Sequence, residues 1–412
     1  MNFYIETYGC TANLGNSKEA EAALIEMGHL SASLEEADII IVNTCAVTEK
    51  TERKIKRRLR QIQGDRLVIA GCLATALPSA LEDIECQKVV GLLGRSAAQV
   101  VAGLFEDNRV LFWQSPGQSI RQDVCGIVNI AEGCTGHCSY CVVRKARGSL
   151  ISREPEDVVD VVRRLVASGS AEIQLTAQDT AAYGLDIGTN LAELLMKVND
   201  VQGKFMIRVG MMNPDTVLPI LDELIRAFQI PKVFKFIHIP VQSGSDRVLR
   251  SMHRRYSSEE FLHIVDAFRR SIEGLSVHTD VIAGFPGEAE EDFRQTLDLI
   301  KLLGPDKVNV TRFSRRPGTP AAQLYDMPDR FKKDWSRELT RQWMEIAAKK
   351  NRQHEGETMR ALVTERGRGE TMKARSANYT GIVFPGAPEL GDWPKIRIVR
   401  SNPFYLEGIL LP

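Results

Sequence analysis

The sequence predicts an α/β protein with three structural parts, and three changes of pattern along the chain predict where they lie. Over residues 1–105, short apolar runs typical of buried strands alternate with helical periodicity, which predicts a parallel α/β domain. Residues 106–125 contain turn formers without a sustained period and are interpreted as a linker. Six further strand–helix units over 126–350 are too few for a closed eightfold barrel and predict an open partial (β/α)6 barrel. Short β-type runs separated by Gly, Pro and Asn over 351–412 predict a small all-β barrel.

Length, composition and charge exclude several classes of protein. The chain of 412 residues is long enough for two or three domains, and 43% apolar with 26% charged residues is an ordinary globular composition. No apolar run approaches the roughly 20 residues that a membrane span needs, and the start, MNFYIETYGC, lacks the basic and apolar regions of a signal peptide. We therefore expect a cytoplasmic protein with no membrane partner. Basic and acidic residues balance at 53 each, so a contact with nucleic acid must come from local basic patches.

Cysteines follow three of the predicted N-terminal strands. Cys10, Cys45 and Cys72 each come within a few residues of a strand's end, after FYIET, ADIIIVN and RLVIAG. In an open α/β sheet, ligands bind beyond the carboxyl ends of the strands, where residues distant in sequence converge. The topology therefore predicts a site with three thiolates, and eight cysteines in a chain of this length suit metal or redox chemistry better than disulfides. The alternative is that the three are small apolar residues of the core.

A second group of three cysteines is close together in the sequence. Cys134, Cys138 and Cys141 form C-x3-C-x2-C within IVNIAEGCTGHCSYCVVRKARG at 127–148, where a predicted strand leads into a glycine-containing loop. Structural zinc takes four ligands, whereas three bunched thiolates suit a [4Fe-4S] cluster whose fourth iron stays open. An open iron is what the amino and carboxylate groups of S-adenosylmethionine (SAM) need for chelation. Two alternatives stay open at this point: a zinc site that borrows His137 and distant ligands, or three unrelated core cysteines.

Polar residues stand at the ends of the predicted barrel strands. In a barrel of βα units the active site lies at the carboxyl ends of the strands. Gln178, Gln242 and Asp280 are our candidates for contacts with SAM or substrate, and Asp179 and Asn213 lie at similar ends. The alternative for each is a structural hydrogen bond at the rim of the barrel.

Basic residues in the C-terminal barrel predict an RNA-binding surface. They are interspersed with Tyr379, Phe384 and Phe404, and proteins often bind RNA through cations together with stacking aromatics. Many small barrels bind no nucleic acid, so a solvated surface is the alternative. The basic residues are Arg360, Arg366, Arg368, Lys373, Arg375, Arg397 and Arg400.

These motifs together resemble the radical-SAM methylthiotransferases along essentially the whole chain. The C-x3-C-x2-C spacing, with Tyr140 before the last cysteine, matches the radical-SAM motif, and EGCTGHCSYCVVRKARG is similar to the family's cluster loop. HIPVQSGSDRVL at 238–249, TDVIAGFPGE at 279–288 and RPGTPAA at 316–322 are similar to its recurring core motifs. The small C-terminal barrel resembles a TRAM domain. The stretch LTAQDTAAYGLDIGTNLAELL at 175–195 looks most like the archaeal and eukaryotic branch of the family.

Resemblance to that branch implies a tRNA methylthiotransferase that inserts a methylthio group at C2 of N6-threonylcarbamoyladenosine next to the anticodon. Gln178 stands where the branch carries an acid and Ala182 where it carries glycine, so another tRNA adenosine or a ribosomal-protein side chain stays an alternative substrate. Arg147 and Arg315 or Arg316 are candidates for contact with substrate phosphate, with solvation as the alternative. A non-catalytic, zinc-containing RNA-binding protein is the alternative from a different class.

The resemblance also implies cofactors and partners. A [4Fe-4S] cluster on Cys134, Cys138 and Cys141 would reduce SAM to a 5′-deoxyadenosyl radical, with Tyr140 near the SAM adenine. A second [4Fe-4S] cluster on the three N-terminal cysteines would hold the sulfur, which a second SAM methylates. The implied partners are the tRNA anticodon region, an external electron donor and a sulfur source.

Overall fold

The computed structural model describes residues 1–104 and 123–411, so most of the predicted linker at 106–125 lies outside the described residues. The chain divides into two compact units that do not follow the order of the sequence. The first unit comprises Met1–Ile120, Glu132–Ile151 and Ser314–Gln323, and the second comprises Arg121–Ala131, Ser152–Phe313 and Leu324–Pro412. In the described ranges, no helix is long and apolar enough to cross a bilayer.

The first unit is built on a parallel sheet of five strands, which confirms the predicted N-terminal α/β domain. The strands are β1 (Asn2–Thr7), β2 (Leu30–Ser31), β3 (Ile39–Thr44), β4 (Gly64–Gly71) and β5 (Cys86–Val89). They are arranged β2–β1–β3–β4–β5, and every neighbouring pair is parallel. The α-helices between and after them are α1 (Thr11–Glu26), α2 (Glu49–Ile62), α3 (Cys72–Ala76) and α4 (Arg95–Gly103), and 3-10 turns cover Pro78–Leu81 and Pro320–Gln323.

Helices cover both faces of this sheet, and the central strand β3 is therefore buried along its whole length. Successive side chains of a strand point to opposite faces. Ile39 accordingly packs with α1 and α4, whereas Ile40 packs with α2, α3 and the short helix α5 (Val143–Arg147). Through Val142 and Ala146 the loop that carries the second group of cysteines contributes to the core of the first unit.

The second unit contains six parallel strands in two sheets of three, which confirms the predicted open partial barrel. The sheets are ordered β10–β9–β6 and β11–β12–β13, and a parallel bridge joins Ile207 to Val233. The strands are β6 (Cys125–Asn129), β9 (Glu172–Thr176), β10 (Met206–Val209), β11 (Phe236–His238), β12 (Ser276–Ala283) and β13 (Lys307–Arg312), with the two-residue strands β7 (Ala131–Glu132) and β8 (Ile151–Ser152) between the first two.

Helices follow the strands of this partial barrel as predicted. They are α6 (Pro155–Ala167), α7 (Leu191–Asn199), α8 (Pro214–Val217), α9 (Leu221–Phe228), α10 (Asp246–Ser251), α11 (Ser258–Ser271) and α12 (Glu290–Leu303), with 3-10 turns at Thr180–Ala182 and Leu218–Ile220. A long charged helix, α13 (Asp329–Arg352), then leads to the C-terminal barrel. Local sequence fixes some of these starts: α11 begins with a capping box in which Ser257 and Glu260 each accept a backbone N–H of the other.

The C-terminal strands form a closed five-stranded barrel, which confirms the prediction for this part. The strands are β14 (Thr358–Arg366), β15 (Thr371–Ser376), β16 (Gly381–Pro385), β17 (Lys395–Ser401) and β18 (Leu406–Leu410). They close in the order β14–β15–β16–β18–β17. The barrel interior is apolar and contains Ala361, Val363, Met372, Ala374, Ile382, Phe384, Ile396, Ile398 and Leu406.

Tyr379 joins the C-terminal barrel to the partial barrel. Its hydroxyl donates to Glu172 Oε1 at 2.8 Å, and its ring centroid lies 4.9 Å from that of Phe234 and 5.1 Å from that of Phe236. Burial, followed by the nearby Glu172 carboxylate, raises the pKa of Tyr379. The prediction that Phe384 lies on an RNA-binding surface is wrong, because its ring is buried inside the barrel. Tyr379 is partly buried against Phe234 and Phe236, whereas Phe404 is 61% exposed.

We expect Tyr379→Ala to lower the free energy of unfolding of the second unit by about 3–5 kcal/mol, because it leaves a cavity between the two barrels. Denaturant unfolding of the full chain measures this change. The matched control is Tyr325→Ala, which removes a ring that is 82% exposed and should change stability by less than about 0.5 kcal/mol. Equal effects of the two substitutions would contradict the anchoring role of Tyr379.

Candidate active site

The structure brings Cys10, Cys45 and Cys72 together at the carboxyl edge of the N-terminal sheet. Cys10 is the residue before α1, Cys45 directly follows β3, and Cys72 begins α3 directly after β4. The thiols are near enough for Cys10 and Cys72 each to raise the pKa of Cys45 electrostatically. Gly9 permits this approach: its φ is +113°, and a Cβ there would lie 3.1 Å from Cys45 Sγ.

Burial raises the pKa of two of these thiols, and the guanidinium of a neighbouring arginine lowers it. Burial is the largest influence on Cys45 and Cys72 and raises the pKa of both. Arg147 lowers the pKa of both, most strongly that of Cys72, to which it is also hydrogen-bonded. Three thiols at one edge of a sheet are soft donors of the kind that bind iron–sulfur clusters, and binding itself displaces their protons.

The second group, Cys134, Cys138 and Cys141, lies in a tight loop of the same unit. Gly133 begins the loop with φ +78°, and a Cβ there would lie 2.0 Å from the Ser149 carbonyl oxygen, so only glycine fits. The missing side chain of Gly136 leaves room for two of the sulfurs, since a Cβ there would be 3.3 Å from Cys134 Sγ and 3.6 Å from Cys138 Sγ.

Backbone amides face two sulfurs of this loop. The N–H of Gly136 donates to Cys134 Sγ at 3.3 Å, and the N–H of Val143 donates to Cys141 Sγ at 3.4 Å. Donors aimed at sulfur stabilise thiolates, and hydrogen bonds to the sulfurs tune iron–sulfur clusters. Tyr140 is half-buried beside Cys141. The loop therefore fits a cluster by its three thiol donors and by the amides aimed at two of them.

Neither group is arranged for a single metal ion. Among the residues that the structure describes, no set of three or more His, Cys, Asp and Glu side chains is placed to hold one ion. A four-iron cluster distributes its thiolates over different irons, so its ligands need not converge on one point.

The three strand-end candidates differ in what surrounds them. The Gln178 side-chain oxygen is buried, and within the described part of the chain it has no hydrogen-bond partner. Gln242 has φ +68°, which is costly for a residue other than glycine. Its N–H donates to the Asp280 carbonyl at 2.8 Å, and its own carbonyl accepts from Ile282 at 3.0 Å. Both features, an unpaired buried acceptor and a strained backbone, are typical of ligand-binding positions.

Asp280 is held by two residues that the sequence analysis missed. His238 Nε2 lies 3.0 Å from both carboxylate oxygens, and Asn309 Nδ2 donates to Oδ1 at 2.7 Å. Burial raises the pKa of Asp280, but the contacts with His238 and Asn309 outweigh it and the net shift is downward. Asp280 and Asn309 are paired in register on neighbouring strands, so strand alignment was the available signal.

The carboxylate of Asp179 is occupied by hydrogen bonds within the protein, which gives this residue a structural role. It accepts hydrogen bonds from the backbone N–H groups of Ala181 and Asn213, from Asn213 Nδ2 and from the Thr216 hydroxyl. Burial raises its pKa, while the bonds from Asn213 and Thr216 oppose that rise. These donors occupy the carboxylate, which holds the turn after β9 against the start of α8.

Two arginines proposed as phosphate contacts are buried. The Arg147 side chain is 2% exposed and pairs with Glu132, and the Arg316 side chain is also 2% exposed and lies 2.6 Å from Glu52. The interpretation of Arg147 and Arg316 as substrate-phosphate ligands is therefore wrong, whereas Arg315, the alternative to Arg316, is exposed and stays a prediction. Sequence offers no local signal for this, because the acidic partner of Arg316 lies 264 positions away.

Three family profiles match successive parts of the chain. A profile described as "Uncharacterized protein family UPF0004" matches residues 2–92, the Radical SAM superfamily matches 128–300, and the TRAM domain matches 352–411. Among solved structures, the radical S-adenosylmethionine methyltransferase TsrM from Kitasatospora setae superposes with a TM-score of 0.58 at 16% identity, covering 78% of this chain and 77% of its own. At that identity the likeness shows the fold alone.

Curated relatives match over the full length. "Probable threonylcarbamoyladenosine tRNA methylthiotransferase" of Pyrococcus horikoshii is 41% identical, with 100% of both chains covered. The protein of the same name from Archaeoglobus fulgidus is 40% identical, with 100% of this chain and 99% of the relative covered. "Threonylcarbamoyladenosine tRNA methylthiotransferase" of Drosophila melanogaster is 32% identical, with 99% of this chain and 77% of the relative covered. Since identity at this level extends through all three parts, the chain belongs to the threonylcarbamoyladenosine tRNA methylthiotransferase family of radical SAM proteins.

Proposed function

We propose that this protein is a tRNA methylthiotransferase that replaces the C2 hydrogen of N6-threonylcarbamoyladenosine, next to the anticodon, by a methylthio group. The observation that carries the proposal is the presence of two groups of three cysteines within one compact unit of a full-length member of this family. The C2–H bond is neither acidic nor electrophilic, so polar substitution by sulfur is very difficult and a radical route is required. Membership in the radical SAM superfamily supplies that route and replaces the alternative of a non-catalytic zinc protein.

The radical SAM fold implies SAM and one [4Fe-4S] cluster. We assign that cluster to Cys134, Cys138 and Cys141, whose loop directs amides at two of its sulfurs. When bound, it supplies the one-electron reduction that cleaves SAM. We assign a second cluster to the N-terminal cysteines Cys10, Cys45 and Cys72, where the transferred sulfur would be held.

The side chains at the strand ends then have distinct roles. The unpaired oxygen of Gln178 accepts a hydrogen bond from SAM or substrate. Asp280, fixed by His238, presents a carboxylate of set orientation, and the strained backbone of Gln242 positions its side chain for the same ligands. Tyr140 is assigned to the SAM adenine on its place in the motif.

The tRNA would bind to an exposed cationic face of the C-terminal barrel. Arg360 and Lys395 are directly opposite each other on the antiparallel strands β14 and β17, and Arg397 lies two pairs further along, opposite Thr358. All three are exposed. Like charges placed opposite each other destabilise a sheet, and RNA phosphates would offset that cost. An external electron donor, a sulfur source and a cytoplasmic location complete the proposal.

The direct test is mass spectrometry of nucleosides from tRNA that carries threonylcarbamoyladenosine, incubated with reconstituted protein, SAM, sulfide and dithionite. We expect a new nucleoside heavier by one methylthio group in place of hydrogen, formed only when SAM is present. SAM cleavage without this product, on that tRNA, would contradict the assigned substrate and leave another adenosine or a ribosomal protein to be tested.

Substitutions of single cysteines should separate the two proposed clusters. Cys134→Ala should abolish formation of 5′-deoxyadenosine, because the ligands for SAM reduction are then incomplete. Cys45→Ala should retain 5′-deoxyadenosine formation and lose the methylthiolated nucleoside. Cys86→Ala, a half-buried cysteine of β5, is the control and should retain both products. Full methylthiolation by Cys45→Ala would make the N-terminal cysteines only packing residues.

Neutralising the opposed cations should weaken tRNA binding. For Arg360→Gln combined with Lys395→Gln, we expect weaker affinity and a salt-dependence slope that is smaller by about 1 for each lost phosphate contact. The same change should slightly raise the melting temperature without RNA, because it removes cross-strand repulsion. Lys373→Gln is the control, since Glu365 at 2.8 Å already neutralises that lysine. Unchanged affinity of the double variant would place the RNA elsewhere.

A further inference from the structure

A buried arginine links the two groups of cysteines. Arg147 lies six positions after Cys141, on the short helix that ends the second cysteine loop. Its side chain is 2% exposed. Nη2 donates to Asn13 Oδ1 at 2.5 Å and to Asn16 Oδ1 at 2.9 Å, and both asparagines lie on the helix that starts after Cys10. A side chain of the second loop is thus inserted beside the first group of cysteines.

The partners of this guanidinium are themselves fixed. Asn13 Nδ2 donates to the carbonyl oxygens of Tyr8 at 2.7 Å and Thr44 at 2.9 Å, so its Oδ1 must face Arg147. Asn16 Nδ2 donates at 2.8 Å to Oε1 of Glu132, and the other oxygen of Glu132 accepts from Arg147 Nη1. Because the side-chain donors and acceptors around Arg147 have hydrogen-bond partners, the network holds these side chains in one geometry.

The two ends of the second cysteine loop meet in this network. Glu132 precedes Cys134 by two positions, and Arg147 follows Cys141 by six. Their ion pair closes the base of the loop, while Asn13 and Asn16 attach that base to α1. The guanidinium of Arg147 therefore contacts both the opposite end of the loop and the helix that follows Cys10.

The same guanidinium is a permanent positive charge beside the first group. Cys72 Sγ lies 3.6 Å from Asn13 Oδ1, the atom that also accepts from Arg147. Arginine stays charged under all conditions in which proteins fold. A fixed cation in a buried site favours the more negative of two states of a neighbouring group, and low dielectric strengthens the effect.

We propose that Arg147 is a positioning residue for both cysteine groups: it fixes the second loop to α1, and its charge makes an iron–sulfur cluster on Cys10, Cys45 and Cys72 easier to reduce. This inference rests on the proposed function, because it takes the N-terminal cysteines to hold a cluster. It concerns the one-electron [4Fe-4S]2+/+ couple of that cluster, with dithionite as the electron donor in the test.

The test isolates the N-terminal cluster in the full-length chain. In a parent with Cys134→Ala, Cys138→Ala and Cys141→Ala, iron and sulfide content is measured first, and the midpoint potential is then measured by EPR during reductive titration. Arg147→Gln, Arg147→Lys and Lys145→Gln are compared in that parent. Lys145 is the matched control, because it lies two positions away on the same helix and is exposed.

Arg147→Gln should shift the midpoint to a more negative potential. At a fixed potential, the ratio of oxidised to reduced cluster should rise at least tenfold, which corresponds to a shift of 59 mV for one electron. Lys145→Gln should leave the potential unchanged. Arg147→Lys keeps the positive charge but loses the bidentate hydrogen bonding of the guanidinium. This variant should therefore have the parent's midpoint potential and a lower melting temperature. A midpoint of Arg147→Gln equal to that of the parent overturns the inference.

Two outcomes for iron uptake also test the role of Arg147 and the presence of the second cluster. If Arg147→Gln takes up no iron, Arg147→Lys becomes decisive: uptake at the parent's potential supports the role of the charge, and loss of iron there too overturns it. If the parent itself binds no iron, the proposed second cluster fails, which is a failure of the proposed function and is visible before any Arg147 variant is compared.

Discussion

The ion pair between Arg147 and Glu132, with Asn13 and Asn16 around it, is the interaction on which the arrangement of the first unit depends. A buried charge is tolerated only where it is paired and its hydrogen bonds are made, and removing one partner of such a pair typically costs about 3–5 kcal/mol. Asn13 and Asn16, which complete the hydrogen bonds of this pair, lie more than 100 positions from its two residues. Polar contacts therefore hold the cysteine loop to the N-terminal sheet in addition to the apolar packing of Val142 and Ala146.

This attachment has a consequence for the chemistry. Methylthiolation needs a radical at the target carbon and a sulfur to capture it, so both must be available at one base. Because both cysteine groups belong to the first unit, the distance between them is set by the packing inside that unit. The first unit thus presents the two groups in a fixed relation, and in the proposed function substrate recognition falls to the polar strand ends and basic surfaces of the second unit.

Much of this arrangement could be predicted from the sequence, and the exceptions have a common cause. Alternating strands and helices predicted the sheet and the partial barrel, and short β-type runs separated by turn residues predicted the C-terminal barrel, because each depends on local periodicity. The convergence of Cys10, Cys45 and Cys72 followed from a general rule about parallel strands. Tyr379, Arg147 and Arg316 were misread as surface residues, since polar side chains in glycine- and arginine-rich segments resemble exposed ones. Glu172, Asn13 and Glu52, which bind these three side chains, lie 207, 134 and 264 positions away, and no local pattern predicts such contacts.

The arginines show how strongly the partner decides the role of a residue in a chain of zero net charge. Arg147 is buried because Glu132 and two asparagine oxygens replace the water it gives up. Arg360 faces Lys395 across a strand pair and is exposed, so its environment favours an additional anion. Composition predicts neither outcome. A buried, paired arginine fixes structure and tunes a neighbouring site, whereas an exposed arginine opposite another cation remains available, and a polyanion such as tRNA is the partner that this second arrangement suits.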